Sequence, residues 1–219
     1  MHPHDHGTTP SAHPSSEAGR KGTRESPGER RIASPAEAVA RMTGNPINYW
    51  AGFVVDIAGV ALFLTLGLRA GGANSLARFT VVALGYCGWT LFEYNVHRFL
   101  FHGEWSPLAP GHLAHHAAPR RTIGLPFFVA FGIAATLFAV CWLAMPMPYP
   151  YFFVAGAYLG WLCYGILHHV EHVAKLSLRP YRSLRRHHLA HHRAMSTNFG
   201  VSTTSWDRLF GTHLGRRGR

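Results

Sequence analysis

Residues 76–102 read LARFTVVALGYCGWTLFEYNVHRFLFH. Up to position 96 this run carries only two charged side chains, Arg78 and Glu93, over a length that crosses a hydrocarbon core, for which about 20 residues of helix suffice. It then ends on two metal-binding side chains, His97 and His102. An apolar span closing on histidines is the pattern that organises the rest of the chain.

Three further stretches of span length lie near 48–68, 125–145 and 151–167. Pro146, Pro148 and Pro150 break any helix between the last two, which predicts a tight hairpin, and Tyr149 and Tyr151 are placed to anchor its end at an interface. Residues 1–46 differ in kind. They are rich in Pro, Ser, Gly, Arg and Glu with no apolar period, so they bury too little surface to offset their ordering entropy and are expected to form a disordered basic tail. That leaves 47–219 as one membrane domain. The polar tail precedes an apolar run too long and too late for a secretory signal, so none is expected. Cys87, Cys141 and Cys163 lie inside apolar stretches with no CxxC pair and read as buried free thiols.

The chain has 21 Lys+Arg against 10 Asp+Glu, a formal net charge of +11. These basic residues surround the apolar stretches instead of lining one soluble face, which argues against nucleic-acid binding and for an anionic membrane surface. Their distribution also orients the spans. The tail holds Arg20, Lys21, Arg24, Arg30, Arg31 and Arg41, the segment after the second span holds Arg98, Arg120 and Arg121, and ten more follow the fourth span. Only Arg69 and Arg78 flank the loop between spans one and two. An excess of Lys and Arg on the cytoplasmic side then predicts that both termini and the 97–124 segment are cytoplasmic.

Two acids fall within spans, and an intramembrane carboxylate is a functional candidate by default. Glu93 precedes His97 by one helical turn. It could accept a hydrogen bond from that imidazole and orient it, or it could be hydrated or paired with Arg98 near the end of the span. Asp56 has no partner visible in the sequence.

Seventeen histidines are many for 219 residues. His2, His4, His6 and His13 belong to the tail, where flexible imidazoles bind metal adventitiously, and His213 stands alone. The other twelve form four groups: His97 and His102; His112, His115 and His116; His168, His169 and His172; and His187, His188, His191 and His192. The topology drawn from charge puts all four groups on the cytoplasmic side. Residues three or four apart share a helix face, so His112, His115 and His116 can converge, as can His188, His191 and His192. Adjacent imidazoles diverge by about 100 degrees, which assigns His115 and His116 to different ions and suggests two metals. Imidazole suits Zn, Cu, Fe and Ni alike. Structural zinc usually takes four ligands, often thiolates, fewer than are on offer here.

These boxes resemble the fatty acid hydroxylase/sterol desaturase superfamily of membrane di-iron enzymes, over roughly residues 45–213. The HRFLFH run from His97 to His102 is similar to the first box of fatty acid 2-hydroxylases. His112, His115 and His116, followed by Pro119, resemble the second box, and Tyr164 with His168 and His172 the third element. His188, His191 and His192 resemble the last box, and Phe199 to Thr203 with Trp206 and Asp207 the closing motif. Gly165 departs from the 2-hydroxylases, which carry an acid after the Tyr.

The resemblance implies an all-α fold: a four-span transmembrane bundle with a cytoplasmic, histidine-rich helical cap holding a di-metal site. It implies ten ligands (His97, His102, His112, His115, His116, His168, His172, His188, His191 and His192), with His169 and His187 left as orienting partners or surface residues. The implied cofactors are two Fe ions, with O₂ as co-substrate; zinc can replace iron in a purified sample. The implied reaction is hydroxylation of a fatty acyl chain near its polar end, at carbon 2, with electrons from a separate donor protein because no fused b-type haem domain is visible. Sterol or carotenoid hydroxylation or desaturation shares the box pattern. A membrane metal carrier or sensor is the alternative from another class, disfavoured because the histidines crowd one side instead of running through the membrane depth. No nucleophilic Ser or Cys arrangement and no phosphate-binding Gly loop is present, which excludes hydrolase and NTPase readings.

Overall fold

The structure is a computed structural model and describes residues 42–215. Among the described residues there is no strand. Four long helices are apolar enough to cross a membrane: α1 (Pro46–Ala70), α2 (Ser75–Asn95, continued by a π-helical segment Val96–Phe101), α4 (Phe127–Ala144) and α5 (Tyr149–Val173). Two shorter helices, α3 (Ala109–Ala117) and α6 (Arg179–His191), lie at one end of the bundle, and α7 (Ser205–Leu209) closes the described chain.

The expected tail lies outside the described residues as far as residue 41. Its last few residues join the fold, for the Thr43 carbonyl accepts from Gly124 N and the Asn45 side chain caps α1 through Ile47 N at 2.8 Å. The fourth span, the shortest by apolar content at 151–167, is a 25-residue helix. Its last turns carry His168, His169, Glu171 and His172, whose polarity ends the apolar run without ending the helix.

Helix α5 is central and packs against α1, α2, α4 and α6. Without a hydrophobic driving force inside a bilayer, helices associate through close packing at small residues. Here Gly156 of α5 and Gly85 of α2 let two backbones touch. A Cβ at Gly156 would stand 2.0 Å from the Val82 carbonyl oxygen, and one at Gly85 would stand 2.1 Å from that of Phe153. Buried Asn48 of α1 serves the start of α4, donating to the Leu125 carbonyl and accepting from Phe127 N, both at 3.2 Å. It thereby satisfies an N-terminus whose cap residue is Pro126.

The hairpins α1–α2 and α4–α5 are short. Gly71 and Gly72 turn the first with φ of 66° and 75°, a region open to glycine. The connections at the opposite end carry α3, α6 and α7, so every histidine-bearing element meets there.

Candidate metal centre

At that end the structure gathers ten imidazoles into two groups of five. The first comprises His97, His102, His112, His116 and His191; the second comprises His115, His168, His172, His188 and His192. Within each group one nitrogen per ring lies within 4.8 Å of all the others.

Helix periodicity explains most of this sorting. Pairs four apart stay together: His112 with His116, His168 with His172, His188 with His192. The residue at the third position goes to the other group, so His115 leaves α3 for the second cluster and His191 leaves α6 for the first. The expectation that all three histidines of each box converge is corrected in this way. Three and four positions along an α-helix differ by about 100 degrees, and that angle carries one ring into each cluster.

His97 and His102 are five apart, and on an α-helix they would point about 140 degrees away from each other. The π-helical segment Val96–Phe101 removes the problem. Its i→i+5 hydrogen bonding brings residues five apart onto one face, and such segments occur frequently at functional sites.

The first cluster has the form of a donor set. His112 Nε2 lies 3.0 Å from His97 Nε2, 3.1 Å from His102 Nε2 and 3.0 Å from His116 Nε2, and His102 Nε2 lies 3.0 Å from His191 Nε2. A ring nitrogen has one in-plane lone pair or one N–H, so three such contacts at His112 cannot all be hydrogen bonds. Nitrogens held 2.0–2.1 Å from an ion stand about 2.9 Å apart at right angles and about 3.3 Å apart in a tetrahedron, so spacings of this size suit a shared ion. In the second cluster His188 Nε2 lies 2.9 Å from His172 Nε2 and 3.2 Å from His192 Nε2, and His115 Nε2 is buried without a hydrogen-bond partner. The residues present fit two metal ions.

Ring tautomers are fixed from outside in the first cluster. His97 Nδ1 meets the Phe199 carbonyl, and His191 Nδ1 meets the Thr197 carbonyl at 2.7 Å. A carbonyl only accepts, so each Nδ1 carries the proton and each Nε2 presents its lone pair inward. Burial, reinforced by neighbouring imidazoles, pushes His102 down to about 4 and His115 to about 3, and holds His192 down at about 2. His191 falls to about 3 for the same main reason, against the opposing pull of its Thr197 bond. These rings are neutral at physiological pH, the state that ligates metal.

The carbonyls that fix His97 and His191 belong to the loop 197–202, which two buried carboxylates hold by its N–H groups. Asp207, fully buried, accepts from Phe199 N and Gly200 N at 2.8 Å, Thr212 Oγ1 at 2.7 Å and His187 Nε2 at 2.9 Å. Burial raises its pKa, but the hydrogen bonds from His187, Thr212 and Gly200 outweigh that and bring it below the usual carboxylate range. Glu93 accepts from Val201 N at 2.8 Å and from Ser202 N at 2.9 Å, and also from Ser202 Oγ. Gly200 is needed for this close fit, because a Cβ there would stand 2.1 Å from the Thr203 carbonyl oxygen.

Neither reading of Glu93 as a partner of His97 or Arg98 holds. Both His97 ring nitrogens are engaged elsewhere, and Arg98 donates to the Tyr94 hydroxyl at 2.9 Å. The onset of π-helix between residues 93 and 97 shifts the ring from the position that α-helical spacing gives it. Glu93 acts on His97 at one remove, through the loop.

Neither extra histidine enters a cluster. His169 Nδ1 pairs with the Tyr49 hydroxyl at 3.0 Å, and buried His187 with Asp207. Tyr164 stacks on His168 with ring planes 11° apart. The sequence reading missed Glu171, fully buried among the α5 histidines with both carboxylate oxygens unpartnered and the Arg185 guanidinium as its counter-charge. Its place between His168 and His172 was the available signal. His2, His4, His6 and His13 lie outside the described residues.

The fatty acid hydroxylase family model matches residues 82–212, more than half of the chain and all ten clustered histidines. The chain belongs to the fatty acid hydroxylase family. It is 30% identical over 184 residues to the ceramide very long chain fatty acid hydroxylase SCS7 of Saccharomyces cerevisiae, covering 78% of this chain and 47% of that protein. It is 33% identical over 144 residues to the dihydroceramide fatty acyl 2-hydroxylase FAH2 of Arabidopsis thaliana, covering 60% of each. A solved structure titled full length scs7p, with only the hydroxylase domain visible, superposes with a TM-score of 0.69 at 29% identity, covering 80% of this chain and 69% of that one. This hydroxylase-family chain spans about half to three fifths of the length of these two curated relatives. At its departure from the 2-hydroxylase pattern, Gly165, a Cβ would come to 3.2 Å of the Phe53 ring, which occupies the adjoining space.

Proposed function

We propose that the chain is an O₂-dependent di-iron lipid hydroxylase that hydroxylates a fatty acyl chain at carbon 2. Its site lies on the cytoplasmic side of the membrane, and a separate donor protein supplies its electrons. The observation that carries this reading is the pair of five-imidazole clusters at one end of four membrane-length helices. The names of the relatives, several of them 2-hydroxylases, support the choice of carbon.

His97, His102, His112, His116 and His191 would hold one iron and His115, His168, His172, His188 and His192 the other. Bound iron supplies O₂ activation, with one oxygen atom entering the C–H bond and the other leaving as water at the expense of two electrons and two protons. The protein's own part is positional. The Phe199 and Thr197 carbonyls keep the protons of His97 and His191 on Nδ1, and Glu93 and Asp207 keep that loop in place. The clusters sit where the membrane-length helices end, and burying each CH₂ of a lipid is worth about 0.8 kcal/mol, so a tail left in the hydrocarbon core presents carbons near its head. The surplus of Lys and Arg at the histidine-bearing end supports the cytoplasmic side.

The test is expression with an electron donor, followed by fragmentation mass spectrometry of the lipids. A gain of one oxygen at carbon 2, with two iron ions per chain and activity restored to stripped enzyme by Fe²⁺, is the expected result. A mid-chain hydroxyl, a loss of two hydrogens or an oxidised sterol would overturn the reaction or the substrate.

A further inference from the structure

Helices α2 and α4 both pack on α5, yet they share no substantial contact with each other. The gap between them is an apolar groove of about 270 Å³, lined almost wholly by carbon. On the α2 side it runs from Trp89 to Phe101, twelve rises along the helix and therefore roughly 18 Å of depth. At its shallow end the Phe101 ring stacks on His112 of the first cluster, 4.8 Å between centroids and 19° between planes. One aromatic ring thus separates the groove from the imidazoles. Toward the other end Ala134, Leu137 and Val154 line it, and Tyr158 and Trp161 of α5 form part of its wall.

Those two wall residues share a feature of the bundle that the site has not used. Asp56 of α1 is buried within the membrane-spanning length, and its Oδ2 accepts from Trp161 Nε1 at 2.8 Å. The Tyr158 hydroxyl lies beside the same carboxylate and interacts with it directly. One turn along α1, Gly59 makes the notch that the Tyr158 ring fills, since a Cβ there would stand 1.8 Å from the ring. A carboxylate at membrane depth is costly and persists where it has work to do. Here it ties α1 to two aromatic side chains that give the groove its shape.

We infer that this groove seats the acyl tail of the substrate, and that Asp56 is a positioning residue which sets tail-length preference by holding Trp161 and Tyr158. This rests on the acyl-hydroxylase reading. It commits to a tail because the groove is apolar, lies at membrane depth, opens sideways between two helices and ends at the imidazoles. Ala134 is the second determinant, because its small side chain leaves the deep part of the groove free.

Two measurements on the full chain in lipid nanodiscs test the inference. In the first, a long-chain fatty acyl probe with a diazirine in its distal half is photolysed and the labelled peptides are mapped. Labelling of 130–137 and 154–161, suppressed by unlabelled long-chain lipid, is expected with or without turnover. Label elsewhere, or label that does not compete, overturns the inference. In the second, acyl substrates of graded length compete for hydroxylation. Ala134→Leu should disfavour the longest tails by about tenfold or more, the scale at which hydrophobic pockets discriminate added methylene groups. Asp56→Ala should raise KM for the longest tails and blunt the length preference at unchanged metal content, while Asp56→Asn, which retains an acceptor for Trp161, should restore the wild-type profile. An unaltered length profile in Asp56→Ala and Ala134→Leu overturns the inference even if carbon 2 is hydroxylated. Competed labelling of the groove without any hydroxylated product would instead overturn the reaction while leaving the tail site standing.

Discussion

The two histidine clusters have five imidazoles each and opposite construction. The second, around His188, is built from regular α-helix: two pairs four apart on α5 and at the end of α6, completed by His115 from α3. The first, around His112, depends on a π-helical segment to align His97 with His102 and on loop carbonyls to set the protons of His97 and His191. Each borrows its fifth ring from the helix that gives two rings to the other. The difference teaches that a ligand pair on one helix needs only periodicity, whereas a pair off the helical period needs outside support. That support here is the loop clamped by Glu93 and Asp207.

The borrowed rings offer the sharpest way to break the comparison. His191→Ala should abolish hydroxylation and empty the first cluster, and His115→Ala should abolish it and empty the second, each taking metal content from two ions to about one per chain. Elemental analysis beside product assay checks this. Loss of both ions in both variants would show that the clusters are one cooperative unit and end the distinction.

The clamp should matter to one cluster more than the other. Glu93→Ala and Asp207→Ala each strand buried N–H donors of the loop and release the carbonyls that fix His97 and His191. Loss of such orienting partners typically costs about 10–100-fold in metal affinity or activity. The loss is expected in the first cluster, read by metal titration, with the second cluster's affinity near the wild-type value. Equal weakening of both would mean that the loop merely supports the fold.

Within the four histidine boxes, the two rings left outside the clusters give the smallest and most graded effects. His187 is buried on Asp207, so His187→Ala should cost activity at the low end of that range, about tenfold. His169 reaches only the Tyr49 hydroxyl, and His169→Ala should cost less than His187→Ala in the same assay. The opposite order would displace Asp207 from the centre of the clamp.

How far the site was legible varies residue by residue. His168 with His172, and His188 with His192, can be paired from spacing alone, because the first pair lies within α5 and the second spans the last turn of α6 and its helical C-cap residue. The divergence of adjacent rings likewise separates His115 from His116. Box by box, however, spacing joined three rings that the structure divides between clusters, since it says which face a ring occupies and not what lies opposite. Glu93 shows the same limit. Its spacing pointed to His97, but the true partners are Val201 and Ser202, more than a hundred residues along the chain.

Length and apolarity of the spans, proline punctuation between α4 and α5, and the histidine boxes are local properties, and the sequence by itself determined them. It determined a four-helix membrane fold with imidazoles at one end, because helix formation in an apolar medium follows from the need to satisfy the backbone within the segment. Only the tertiary structure decided how those imidazoles divide into two sets, that a π-helix aligns His97 with His102, that Glu93 and Asp207 hold a loop instead of a ring, and that Asp56 meets Trp161. Each of these is a contact between distant segments, fixed by how α1, α2, α5 and the closing loop pack, and no spacing along one segment encodes the position of another.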